Sequence, residues 1–182
     1  MSPKVFAAFE QLVASLFGNH APRATLEVGA YQWTLLSIPA LRSGRRVALN
    51  LEFPQTSPEL EQCEKVVGSA NKMDFADGEF DLVMSSSTLE HDKYFWKSVA
   101  EIRRVLAKGG IFIVGVPIYM RLPTDVKRTT LTYARHGYAY NADYYRYSEQ
   151  SVREVLLEDF EIVGSCMVRR YPNPYLLMAG RK

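Results

Sequence analysis

The chain has 182 residues, 47% of them apolar and 23% charged, a composition that suits one packed globular core and excludes a disordered or fibrous chain. A formal charge of +2, with basic pairs scattered at Arg45-Arg46, Arg103-Arg104, Lys127-Arg128 and Arg169-Arg170, argues against a nucleic-acid partner. The longest apolar run, residues 111–118, is far too short to cross a bilayer, and Cys63 and Cys166 make neither a disulfide framework nor a metal cluster, so a cytoplasmic chain with no membrane partner and no metal is expected.

The first 17 residues place Val5, Phe6, Phe9, Leu12, Val13, Leu16 and Phe17 at helical spacing, with Pro3 at the start and Gly18 at the end. They are expected to form an N-terminal helix within residues 1–22 rather than a signal peptide, since Glu10 and Gln11 interrupt the apolar pattern. A first strand is expected over residues 25–29, then a weakly patterned helical segment to Leu41 broken at Pro39, and a second strand over 46–51. Val66-Val67 marks a third strand. Asp77-Gly78 makes a turn before a fourth, over 80–85.

Residues 93–108 carry the clearest helical pattern, and Gly109-Gly110 supplies a left-handed stop. Residues 111–116 are so uniformly apolar that both faces of that strand must be covered. Ser148 is placed to cap a short helix carrying Val152, Val155 and Leu156. Two late strands, over 160–164 and 175–179, are separated by no helical pattern and so are expected to pair as a hairpin. The sum is an α/β fold: a Rossmann-like doubly wound sheet, mostly parallel, with a C-terminal antiparallel hairpin, in a single domain over residues 1–182. Ligands of such sheets lie at the carboxyl ends of the strands.

The stretch MDFADGEFDLVMSSSTLEHDKYFWKSVAEIRRVLAKGGIFIVGVP, residues 73–117, resembles the type 11 branch of the class I S-adenosylmethionine (SAM)-dependent methyltransferases. The shared elements are an FD strand after an acidic turn, a Leu-Glu-His, a helix ending in Arg-Val-Leu-x-x-Gly-Gly, and an apolar strand closed by Pro. Their order and spacing match. The upstream TLEVGA and RVALNLE fall where that fold puts its first two strands.

The resemblance implies SAM as cofactor and a small-molecule acceptor. It places Glu27, Gly29 and Ala30 at the end of the first strand, with Gly29 allowing close backbone approach to a ligand. The family's further glycines are replaced by Tyr31 and Trp33. At the second strand's end Asn50 stands where the family has an acid for the ribose hydroxyls, with Glu52 on the same strand face as the other candidate. Ser69, Ala70 and Asn71 fall at the adenine edge, and Ser86 near the methyl group. His91 is a candidate base. Asp143 and Arg146 belong to an Asp-Tyr-aromatic-Arg-aromatic-Ser motif on the acceptor side, within an insert over residues 118–147. Methyl transfer needs positioning and exclusion of water more than a catalytic triad. The alternative is a methyltransferase-fold module used for binding or assembly without turnover, which Tyr31, Trp33 and Asn50 would suit.

Overall fold

The computed structural model of the chain describes residues 2–118, 144–169 and 174–182. Helix α1 (Pro3–Phe17) starts on a proline and stops at Gly18, which has φ of 55° and donates its N–H to Ala14 O at 2.9 Å. Among the described residues seven strands follow: β1 (Ala24–Val28), β2 (Arg45–Asn50), β3 (Glu64–Val67), β4 (Phe80–Ser86), β5 (Leu106–Pro117), β6 (Glu161–Val168) and β7 (Tyr175–Arg181). They form one sheet in the order β3-β2-β1-β4-β5-β7-β6. Strands β1 to β5 pair parallel, and β7 pairs antiparallel with both β5 and β6. The late hairpin and the doubly wound parallel sheet are those expected.

Alternation along each strand sends successive side chains to opposite layers. Leu82, Met84, Ile113 and Leu177 pack with Val5, Phe9 and Val13 of α1 and with the short helix α2 (Pro58–Glu61). Val83, Phe112, Val114 and Met178 pack instead with Ile102 and Val105 of α3 (Phe95–Val105) and with Val152 and Leu156. Val152 and Leu156 follow α4 (Glu149–Ser151), which Ser148 caps by accepting from Ser151 N at 3.0 Å. Val155 faces solvent, 47% exposed.

Two local expectations are corrected. Residues 30–41 form no α-helix; two 3₁₀ turns, Leu35–Ser37 and Pro39–Leu41, stand there. Pro39 has no N–H to donate and holds Ile38 extended, at ψ of 124°, so no α-helical ladder can run through. Helix α3 ends at Val105, not Lys108, and Gly109 lies in an irregular stretch of β5. It keeps its left-handed φ of 78° there and donates to Lys182 O at 2.9 Å. The β3-to-β4 connection, residues 68–79, also has no helix. Arg104 of α3 ties it down, donating to Met73 O at 2.9 Å, Phe75 O at 2.7 Å and Asp77 Oδ1 at 2.7 Å. Glu101 completes the tie by accepting from Met73 N at 2.7 Å.

Candidate functional site

The strand order reverses direction between β1 and β4, so the crevice outside their carboxyl ends is where a ligand of this fold sits. Glycine at 29 has φ of 81°, a left-handed conformation that other residues adopt only with strain. The close approach it permits is made by the protein itself. A Cβ at this position would lie 2.6 Å from Thr88 Cγ2, on the loop leaving β4. Thr88 Oγ1 in turn lies 3.2 Å from both Val28 O and Ser86 O. The exits of β1 and β4 are therefore locked together.

Asn50 performs a similar task between β1 and β2. Its Nδ2 donates to Ala30 O at 2.7 Å and its Oδ1 accepts from Leu51 N at 2.8 Å. A carboxylate could not make the first of these bonds, which gives asparagine a positive reason at this position. Glu52, two residues on, is exposed.

Glu27 is 3% exposed and turns away from Leu26 and Val28, toward the layer of α1. Its carboxyl group accepts from the Thr34 hydroxyl and from Leu35 N, the latter at 2.9 Å. It thus fixes the far end of the loop that begins at Gly29. Burial pushes its pKa up to about 7, partly offset by those hydrogen bonds. Between these anchors Tyr31 and Trp33 project outward, 38% and 67% exposed.

Beyond β3, Asn71 Nδ2 donates to Asp92 Oδ2 at 2.7 Å and to Ser98 Oγ at 2.8 Å, while Asn71 N donates to Ser69 Oγ at 3.2 Å. Residues 69–71 are held against the start of α3 by these bonds, with Ala70 packed on the core. Ser86 Oγ meets Tyr175 Oη at 2.9 Å. His91 Nε2 lies 3.8 Å from Oε1 of Glu90, whose residue is only 2% exposed. Arg146 donates from one guanidinium nitrogen to Tyr145 O at 3.2 Å. Tyr144 N and Tyr145 N both donate to Glu90 O, which seats the segment 144–147 over the loop that follows β4. Asp143 lies outside the described residues.

The structure thus joins Gly29, Ala30 and Asn50 in one rim and Ser86 to Tyr175 at the start of β7. Glu90 links His91, its chain neighbour, to the segment 144–147 that carries Arg146. Thr88, Glu90 and Tyr175 are the participants that the sequence reading misses. Three consecutive hydroxyl residues after a strand were the available signal for Thr88. Nothing local marks Tyr175.

The residues at the edge fit an adenosyl group in kind. Leu51, which follows β2, and Val67, which ends β3, are 68% and 69% exposed, and Trp33 on the loop after β1 is exposed as well, so apolar side chains lie open at this edge. Ser85 Oγ, at the β1–β4 crevice, is buried and has no hydrogen-bond partner among the described residues. No helix among the described residues is long and apolar enough to cross a membrane.

Residues 40–114 match the family model of the methyltransferase domain. No curated protein matches the chain. Among solved structures it is similar to the 1,6-didemethyltoxoflavin-N1-methyltransferase of Burkholderia thailandensis, crystallised with 1,6-didemethyltoxoflavin and S-adenosylhomocysteine. The identity is 21% and the TM-score 0.72, over 97% of this chain and 77% of that one. It is also similar to the N-methyltransferase NodS of Bradyrhizobium japonicum WM9 in complex with S-adenosylhomocysteine, at 16% identity and TM-score 0.67, over 100% of this chain and 88% of that one. The [4+2]-cyclase SpnF shares the fold as well, at 15% identity and TM-score 0.67, over 96% of this chain and 80% of that one. The resemblance of this sequence to the type 11 branch of the class I SAM-dependent methyltransferases therefore stands on a family match over residues 40–114 and on a fold shared along nearly the whole chain.

Proposed function

We propose that the chain transfers a methyl group from SAM to a small-molecule acceptor at the carboxyl edge of its sheet. SAM, when bound, supplies a methyl group activated on a sulfonium sulfur. The observation that carries this reading is the stitched rim: Gly29 against Thr88 and Asn50 against Ala30 fix the exits of β1, β2 and β4 relative to one another. Such rigidity is what an in-line displacement asks of a protein, because the reaction depends on alignment.

Leu51, Val67 and Trp33 would cover the adenine, with Ser69, Ala70 and Asn71 at its edge. Glu52 takes the ribose hydroxyls in this reading, because the amide of Asn50 is engaged within the protein. Glu27 and Ala30 act through the loop that they hold. Ser86 borders the methyl group. On the acceptor side, His91 takes a proton from an acceptor that must lose one. Arg146 and the tyrosines beside it, with Asp143 upstream, shield the reacting atoms from water. Cys63 and Cys166 are free thiols, which suits the reducing cytoplasm.

SpnF shows that this fold also serves chemistry with another name, so the fold alone does not decide the reaction. Calorimetric titration with SAM and S-adenosylhomocysteine tests the reading. Binding weakened by Glu52→Gln supports it, and absence of binding favours the module without turnover.

A further inference from the structure

Ser86 ends β4, and Ser87 and Thr88 open the loop that leaves it. Tyr175 Oη lies 2.8 Å from Gly115 O. A carbonyl only accepts, so the single proton of Tyr175 is directed there. Ser86 Oγ and Ser87 Oγ lie 2.9 Å and 3.0 Å from the same phenol oxygen. With that proton already engaged, the hydrogen bond between Ser87 and Tyr175 has Ser87 as its donor. Thr88 Oγ1 has two carbonyls within 3.2 Å, Val28 O and Ser86 O, so its proton also points into the protein.

The arrangement has little freedom to change. Tyr175 is 3% exposed, and a Cβ at Gly115 would come within 2.8 Å of its ring. Burial first, and then the nearby Glu90, push the Tyr175 pKa upward, so the phenol keeps its proton. Ser87 is held at φ of 51° and donates its own N–H to Gly115 O at 3.0 Å. It is also the exposed member of the three.

From this bookkeeping of protons we propose that the acceptor substrate offers a hydrogen-bond donor, an amine or other N–H nitrogen, to the hydroxyl oxygens after β4. The inference rests on the methyl-transfer reading above and names its substrate class. Ser87 presents oxygen lone pairs and no proton. Glu90 on the same loop is buried, with His91 Nε2 3.8 Å from its Oε1. An ammonium or N–H group is complementary to such a surface. A carboxylate or phenolate would set oxygen against oxygen. Tyr175 is a positioning residue here: it touches no substrate but decides which way the Ser87 proton points.

The test uses benzylamine and benzoate, matched in ring and size, titrated against the whole chain by ligand-observed NMR with and without S-adenosylhomocysteine. Benzylamine is expected to bind at least about tenfold more tightly, the scale of one charge-assisted hydrogen bond. Ser87→Gly suits the positive φ and removes one acceptor, so it should lower benzylamine affinity several-fold and leave benzoate alone. Tyr175→Phe releases the Ser87 proton and should narrow the preference between the two probes. Should Tyr175→Phe not fold, Ser87→Gly decides the matter. Equal affinity for both probes, tighter benzoate, or binding of neither overturns the proposal. Since the readout needs no turnover, a failure of S-adenosylhomocysteine to bind removes the methyl-transfer reading while the preference for N–H groups is still decided by the probes.

Discussion

Thr88 occupies the space that a side chain on Gly29 would need, its Cγ2 only 2.6 Å from the place of a Cβ there. Any larger residue at 29 meets two penalties: a left-handed backbone, costing roughly 1–2 kcal/mol, and displacement of a threonine hydrogen-bonded to Val28 O and Ser86 O. Gly29→Ala is expected to lower stability by about 2–4 kcal/mol. Adding Thr88→Ala should return part of that loss. A double-mutant cycle in denaturant checks this, and strict additivity of the two changes would show that the residues do not meet.

Glu27 makes stability depend on pH in the sense opposite to most carboxylates. Its folded-state pKa is raised from 4.5 to about 7 by burial, so the folded protein holds this proton more tightly than the unfolded chain. The stability it contributes is fully present below about pH 4.5 and is lost as pH rises toward 7, up to roughly 3 kcal/mol for a shift of this size. Glu27→Gln keeps an acceptor for Leu35 N and removes the titration. The wild-type minus variant difference in unfolding free energy should therefore fall across that window and be flat above it. A flat difference throughout would assign the proton elsewhere.

Asn50→Asp loses the donor to Ala30 O and sets a carboxylate beside that carbonyl, at the present 2.7 Å. A loss of about 1–3 kcal/mol is expected, read as a lower midpoint in thermal or denaturant unfolding. SAM affinity should change little if Glu52 holds the ribose. A tightening of SAM by Asn50→Asp would instead assign the ribose to position 50.

Much of the fold was legible because strand ends, glycines and the Leu-Glu-His loop are local patterns that follow one another in a fixed order. The apolar run at 111–116 announced a strand covered on both faces, and Ile113 and Phe112 do reach opposite core layers. Local patterns could not show what meets across the sheet. Gly29 reads as a residue making room for a ligand, yet its neighbour is Thr88, brought in by the β1–β4 pairing. Asn50 reads as a weakened acid until Ala30 O is found against its amide. Tyr175 sits between two strand partners and looks like any strand aromatic, although its hydroxyl orders Ser86 and Ser87. The helical expectation for residues 30–41 failed where Pro39 outweighed a weak apolar pattern, and the stop at Gly109 failed because its left-handed φ serves an irregular strand.

The central claim, a SAM site on the carboxyl edge, is tested most directly by isothermal titration of the whole chain with S-adenosylhomocysteine, repeated with Glu52→Gln. Saturable one-to-one binding is expected, weakened about tenfold by the loss of the Glu52 charge, with the unfolding midpoint of the variant unchanged because Glu52 is exposed. No heat of binding at millimolar nucleotide, for a chain shown to be folded by circular dichroism, would contradict it.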